Sequence, residues 1–134
     1  MATHNVLNEY IGGSTSLALA KLVEHGLPTE SLALLREKGL TFTEMSAIIS
    51  PRTLKHRKAR GENLSSEETD RAIRVSSIVA LAESVFGNPV KAMGWLRYPN
   101  TRLEDRTPLS MLHTEAGGRL VEGILYSISE GIYS

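Results

Sequence analysis

Six side chains that can carry positive charge crowd into nine positions of this chain: Arg52, Lys55, His56, Arg57, Lys58 and Arg60. Arg52, Lys55 and His56 are spaced i, i+3, i+4, so a helix presents them on one face. Arg57, Lys58 and Arg60 flank that face, and Leu54 turns the other way, toward Ile48 and Ile49. The chemistry open to such an array is recognition of a polyanion. The planar fork of Arg52 matches O6 and N7 of a guanine, whereas the later Lys and Arg suit phosphates, which give affinity without sequence choice. Neutralising about five phosphates per chain would make affinity fall several-hundred-fold between about 50 and 200 mM salt. The bland alternative is a solvated charge run whose cations offset a helix dipole. A helix-turn-helix outline upstream favours DNA contact.

Other chemistries find less support. The chain has no cysteine, which excludes disulfides, thiolate metal sites and cysteine nucleophiles. His4, His25, His56 and His113 fall at no metal-ligand spacing, and no glycine-rich phosphate loop occurs. Glu67, Glu68 and Asp70 resemble a carboxylate site, but in a first helical turn they match the dipole. His113 beside Thr114 has nothing nearby to complete a triad, and Gly117-Gly118 reads as close helix packing. No catalysis, metal or cofactor is expected. Trp95 reads as a core filler of the C-terminal half. Tyr133 follows a helix-breaking glycine at a tail, where chains order only when docked, so core and insertion into a partner's cleft stay open.

The elements that must carry these residues are all helical. Residues 1–16 read as a flexible arm. A short helix with Leu17, Ala20 and Val23 inward ends at Gly26. Pro28 opens the next one as its first residue, with Leu32, Leu34 and Leu35 inward and Gly39 as a left-handed cap. Thr41 or Thr43 caps a helix carrying Met45, Ile48 and Ile49. Ser50-Pro51 stops it and starts the basic helix, because the residue before proline avoids helical geometry. Two short helices joined by a tight turn make a helix-turn-helix over 17–63. The longest helix spans 64–87: Ser65 and Glu68 form a capping box, and Val75, Ile78, Val79, Ala82, Val85 and Phe86 make its stripe. Glu67–Arg71 and Asp70–Arg74 are i,i+4 pairs. Over 88–134, Asn88-Pro89 opens a helix to about Leu96, a loop runs from Tyr98 to Arg106, and Thr107-Pro108 opens a turn. Thr114 caps a final helix with Val121, Ile124, Leu125 and Ile128 inward. No strand-period segment competes.

The chain has 134 residues, enough for one compact unit or two small helical lobes. Aromatics are only 5%, so the core rests on aliphatic residues. The formal net charge of zero hides segregation: residues 1–61 hold eight Lys/Arg against five Asp/Glu, and residues 62–134 hold seven against ten. Such a local basic patch points to a local anionic partner. No signal peptide or membrane-length apolar run is read, and a cytoplasmic protein with no membrane partner is expected.

One ordered set of segments carries a resemblance. Arg52-Thr53-Leu54-Lys55-His56-Arg57-Lys58 comes first, then Leu64-Ser65-Ser66-Glu67-Glu68-Thr69-Asp70-Arg71 and Val85-Phe86-Gly87. Lys91-Ala92-Met93-Gly94-Trp95-Leu96, Pro99-Asn100, Pro108-Leu109 and Thr114-Glu115-Ala116-Gly117 follow. From about residue 20 onward this resembles the Xre/MbcA/ParS antitoxins encoded with RES-domain toxins. The resemblance implies an all-α fold, with an Xre/Cro-like helix-turn-helix half followed by a small toxin-binding domain. It implies a type II antitoxin that covers the active site of a NAD-consuming or ADP-ribosylating toxin and represses its own operon, as a homodimer. Arg52, Thr53, Lys55, His56, Arg57, Lys58 and Arg60 would then contact the operator. Trp95, Tyr98, Asn100, Tyr126, Ile132, Tyr133 and Ser134 would face the toxin. Two departures stand out. Ile48-Ile49 occupy the turn where many helix-turn-helices carry glycine, and His56 stands where arginine is common, which lowers the phosphate contribution or makes binding depend on pH.

Two other readings fit part of the pattern. One is a stand-alone regulator whose C-terminal domain dimerises or binds a small ligand. The other is an adaptor that organises proteins and binds no DNA.

Overall fold

The computed structural model describes residues 16–131. Their secondary structure is helical apart from one isolated bridge between Asn100 and Arg106. Helix α1 is Ser16–His25, and a 3-10 turn at Thr29–Leu32 runs into α2, Ala33–Glu37. Then come α3, Phe42–Met45, α4, Pro51–Arg60, and α5, Ser66–Phe86. Helix α6, Pro89–Arg97, precedes 3-10 turns at Thr101–Leu103 and Leu109–Met111, and α7, Glu115–Ser129, is the last described helix. The chain divides into two compact units between Ile73 and Arg74, inside α5. Of the arm expected over 1–16, residues 1–15 lie outside the described residues, and Ser16 begins α1.

In the first unit the core gathers around Leu27, Leu34, Leu35, Leu40 and Ile48, all nearly inaccessible. A backbone junction ties its two ends. The Leu64 amide donates to the Leu27 carbonyl at 2.8 Å, the Leu27 amide to Thr69 Oγ1 at 3.1 Å, and Asn63 Nδ2 to the Gly26 carbonyl at 3.1 Å. Gly26 has φ +89° and lies so close to the Leu64 carbonyl that a Cβ would collide with it. A side chain there would break the junction.

Local signals act much as expected. Thr41, rather than Thr43, caps α3 in a full capping box with Glu44. Ser65 Oγ accepts from the Glu68 amide at 3.1 Å, while Glu68 Oε1 accepts from the Ser65 amide at 2.7 Å. Three details differ. The inward edge of α1 runs through half-buried Leu19, Leu22 and Val23, whereas Leu17 and Ala20 are exposed. Both stripes have helical spacing, and the packed one begins two residues later. Pro28 stands before the 3-10 turn with extended geometry, φ −61° and ψ 149°, rather than inside a helix. Ile48 and Ile49 are buried, and their amides both donate to the Met45 carbonyl. The turn before α4 is therefore a continuation of helical winding that contributes to the core, so it needs no glycine.

In the second unit, Ile78, Val79 and Ala82 of α5, Ala92 and Leu96 of α6, and Val121 and Leu125 of α7 are buried. The start of α7 is packed tightly. A Cβ on Gly117 would strike the Met111 carbonyl, and one on Gly118 would lie 2.6 Å from Arg74 Cδ. That Arg74 stem is held by a 2.8 Å bond from Nε to the Leu112 carbonyl. No described helix is long and apolar enough to cross a membrane.

Candidate nucleic-acid and protein interfaces

Helix α4 is locally over-specified. Ser50 is extended (φ −66°, ψ 148°), and its Oγ accepts from the Thr53 amide at 3.2 Å and donates to Thr53 Oγ1 at 2.8 Å. Pro51 fills the first turn, where its missing N–H costs nothing. Gly61 closes the helix in the left-handed region at φ 65°. The result is a two-sided rod. Arg52, Lys55, His56, Lys58 and Arg60 are exposed, while Thr53, Leu54 and Arg57 are half-buried. No α4 residue is fully buried and none is acidic. The expected face of Arg52, Lys55 and His56 is thus in solvent, with Lys58 and Arg60 continuing the charge.

Arg57 is placed differently from its neighbours. Its Nε donates to Glu68 Oε1 at 2.8 Å and its Nη2 to Glu68 Oε2 at 3.2 Å, a two-point fork on a side chain that is 10% exposed. Nη1 reaches Glu62 Oε1 at 3.4 Å. Burial alone would push the Glu68 carboxyl up. The hydrogen bonds from Arg57 and Ser65, with the arginine's charge, outweigh it and hold the group below its usual value of 4.5. Arg57 is correspondingly raised, chiefly by its bond to Glu68. Another arginine fixes the opposite end of α4: Arg71 Nε of α5 donates to the Ile48 carbonyl at 3.0 Å, just before the Ser50 cap.

Beside α4 lies an open groove of about 540 Å³ that no sequence signal announces. Leu32, Phe42, Met45, Ile49 and Leu54 line it, together with Arg36, Lys55, Lys58 and the acidic Glu30. Phe42 is 72% exposed, with the Arg36 guanidinium carbon 3.7 Å above its ring centre.

The residues expected to face a protein partner are distributed along the second unit. Trp95 is half-buried, its ring 5.8 Å from that of Phe86. Tyr98, 74% exposed, follows at the end of α6. Asn100 serves its own loop: Oδ1 accepts from the Arg102 amide at 2.9 Å, and its backbone pairs with Arg106. The loop also buries Leu103 and holds Glu104 and Asp105 at φ 55° and 66°. Tyr126 is exposed on α7. Ile132, Tyr133 and Ser134 lie outside the described residues. Val90 and Leu120 are exposed apolar residues that sequence reasoning missed, because each continues a helical pattern without marking which side meets solvent. Thr114 Oγ1 accepts from the Gly117 amide at 3.1 Å, and His113 Nδ1 is 2.9 Å from the Ser110 carbonyl, so both serve the turn before α7.

Comparison with known proteins divides the chain in the same order. A family model described as the antitoxin Xre-like helix-turn-helix domain matches residues 18–77. A second, described as the antitoxin Xre/MbcA/ParS C-terminal toxin-binding domain, matches residues 81–131. An Antitoxin Xre of Pseudomonas putida is 42% identical over 110 residues, which is 81% of this chain and 69% of the relative. An Antitoxin Xre of Yersinia enterocolitica is 30% identical over 87 residues, covering 64% of this chain and 59% of the relative.

Proposed function

The chain belongs to the Xre/MbcA/ParS antitoxin family, and from that premise we propose that it neutralises a RES-domain toxin through residues 88–134 and represses its own operon through 17–63. The observation that carries the DNA half is the exposed array of Arg52, Lys55, His56, Lys58 and Arg60 on a capped helix that bears no acid. Arg52, in the first turn, reads a base edge; the others meet phosphates. Thr53 stays with its cap and sets the start of that turn. The protein acts as a homodimer, because two copies of α4 suit two half-sites one helical turn apart.

For the toxin half, Tyr98 and Tyr126 supply exposed aromatic anchors, the residue type that dominates interface energetics. Trp95 and Asn100 hold the segment that presents Tyr98. Ile132, Tyr133 and Ser134 extend the contact into the toxin's cleft. The toxin consumes NAD or uses it to ADP-ribosylate a target, and the antitoxin acts by covering that active site in the cytoplasm, with no catalysis of its own. The segment 64–87, which contains α5, joins the two functions.

Charge reversal at Arg52 and Lys55 tests the division of labour. Binding to the DNA upstream of its reading frame should be lost while protection against the neighbouring toxin persists. Unchanged DNA affinity would remove α4 from operator reading, and loss of both activities would contradict the separation.

A further inference from the structure

We propose that Arg57 serves operator binding as a positioning residue: its fork on Glu68 fixes the tilt and rotation of α4 on α5, and it makes no phosphate contact. This rests on the reading of α4 as the DNA helix.

Three observations carry it. The guanidinium already spends Nε and Nη2 on Glu68 and Nη1 on Glu62. One cation among two carboxylates leaves a local charge of the wrong sign for a phosphate. Glu68 is itself held in place, buried in the first turn of α5 and bonded to the Ser65 amide at 2.7 Å. Its backbone amide is capped by Ser65 Oγ at 3.1 Å. Finally, α4 has no fully buried side chain, and only Leu54, Thr53 and Arg57 are even half-buried. An apolar core therefore does little to set the helix's rotation. A bidentate arginine–carboxylate pair does so directionally, because both partners are planar. Severing it leaves a buried charge without its partner.

The sign of one substitution separates the two roles. Glu68→Gln removes a negative charge, so plain electrostatics makes DNA binding tighter or leaves it alone. Gln keeps an oxygen for the Ser65 amide but loses the two-point fork. A positioning role makes binding weaker, by about tenfold for the loss of a charged hydrogen-bond pair.

The test uses the full chain and a labelled duplex of the DNA upstream of its own reading frame, titrated at several salt concentrations. Wild type is compared with E68Q, R57K, R57Q and the R57Q/E68Q double variant. Hydrogen exchange of the α4 amides is followed without DNA, and circular dichroism checks that each variant is folded. The expected results are weaker binding by E68Q, near-equal weakening by R57K and R57Q, and a double variant no worse than either single. The salt slope stays unchanged, and exchange accelerates within Pro51–Arg60.

E68Q binding as tightly as wild type or tighter would overturn the proposal. So would R57K at wild-type affinity with R57Q lowering the slope by about 0.9, the mark of one lost phosphate. If wild type fails to bind that duplex, the operator reading falls. The exchange data then still decide whether the pair holds α4, and unchanged exchange in E68Q refutes that too.

Discussion

Glu68 joins two tasks that usually fall to different residues: it caps α5 through the Ser65 amide and anchors α4 through Arg57. Its carboxyl titrates below the usual 4.5 in the folded protein. The unfolded chain therefore takes up this proton more readily, and the group stabilises the fold above about pH 4.5 and loses that contribution as pH falls through the folded value. Urea unfolding of wild type and E68Q should differ clearly at neutral pH and converge in acid. A gap that stays constant with pH would mean the charge contributes nothing. Two glycines of α7 make an opposed pair. Gly117→Ala drives a methyl into the Met111 carbonyl and should cost about 1–3 kcal/mol. Gly123 has open space around it, so Gly123→Ala should stabilise by about 0.5–1 kcal/mol through helix propensity. Denaturant midpoints check both, and the same sign for the two would refute the packing described at the start of α7.

Helix α4 depends on its ends. Ser50→Ala removes the cap from the Thr53 amide and should cost about 1 kcal/mol, with DNA affinity falling further as the first turn frays around Arg52. Such ends were legible in the amino acids, because a cap is a local hydrogen bond between residues three apart. Ser65 and Thr114 cap as their neighbours imply, and Ser50 and Asn88, read from the sequence only as the residues before a helix-opening proline, prove to be caps as well. The buried side of α5 was legible for a related reason, since Ile78, Val79 and Ala82 repeat at helical spacing. Other features depend on what lies across from an element, which spacing along the chain does not encode. On α1 two apolar stripes compete, and only the partner surface selects Leu19, Leu22 and Val23 over Leu17 and Ala20. Arg57 looks like its neighbours until Glu68, eleven residues on, is brought beside it. The groove lined by Phe42 and Leu54 comes from three separate segments and leaves no local mark. The exposed cation array, by contrast, follows from helical periodicity alone, and Arg52, Lys55 and His56 do share solvent.

The chain carries an antitoxin-type helix-turn-helix domain and a toxin-binding domain, and it divides into two compact units; the proposal that DNA and toxin are served separately is tested at this scale. Replacing Tyr98 and Tyr126 by alanine should weaken toxin binding by at least about tenfold, the range of aromatic interface anchors, and leave affinity for the upstream DNA within about twofold. Isothermal titration with purified toxin and anisotropy with DNA separate the outcomes, and a variant that loses both would mean the units do not act independently. The central claim is that this chain disarms a toxin that consumes NAD or transfers its ADP-ribose. Its most direct test is to express the neighbouring reading frame alone and then with this chain, while following growth and cellular NAD. The account predicts growth arrest with falling NAD in the first case and recovery of both in the second. A neighbour that is harmless by itself, or an arrest that this chain fails to relieve, would contradict it.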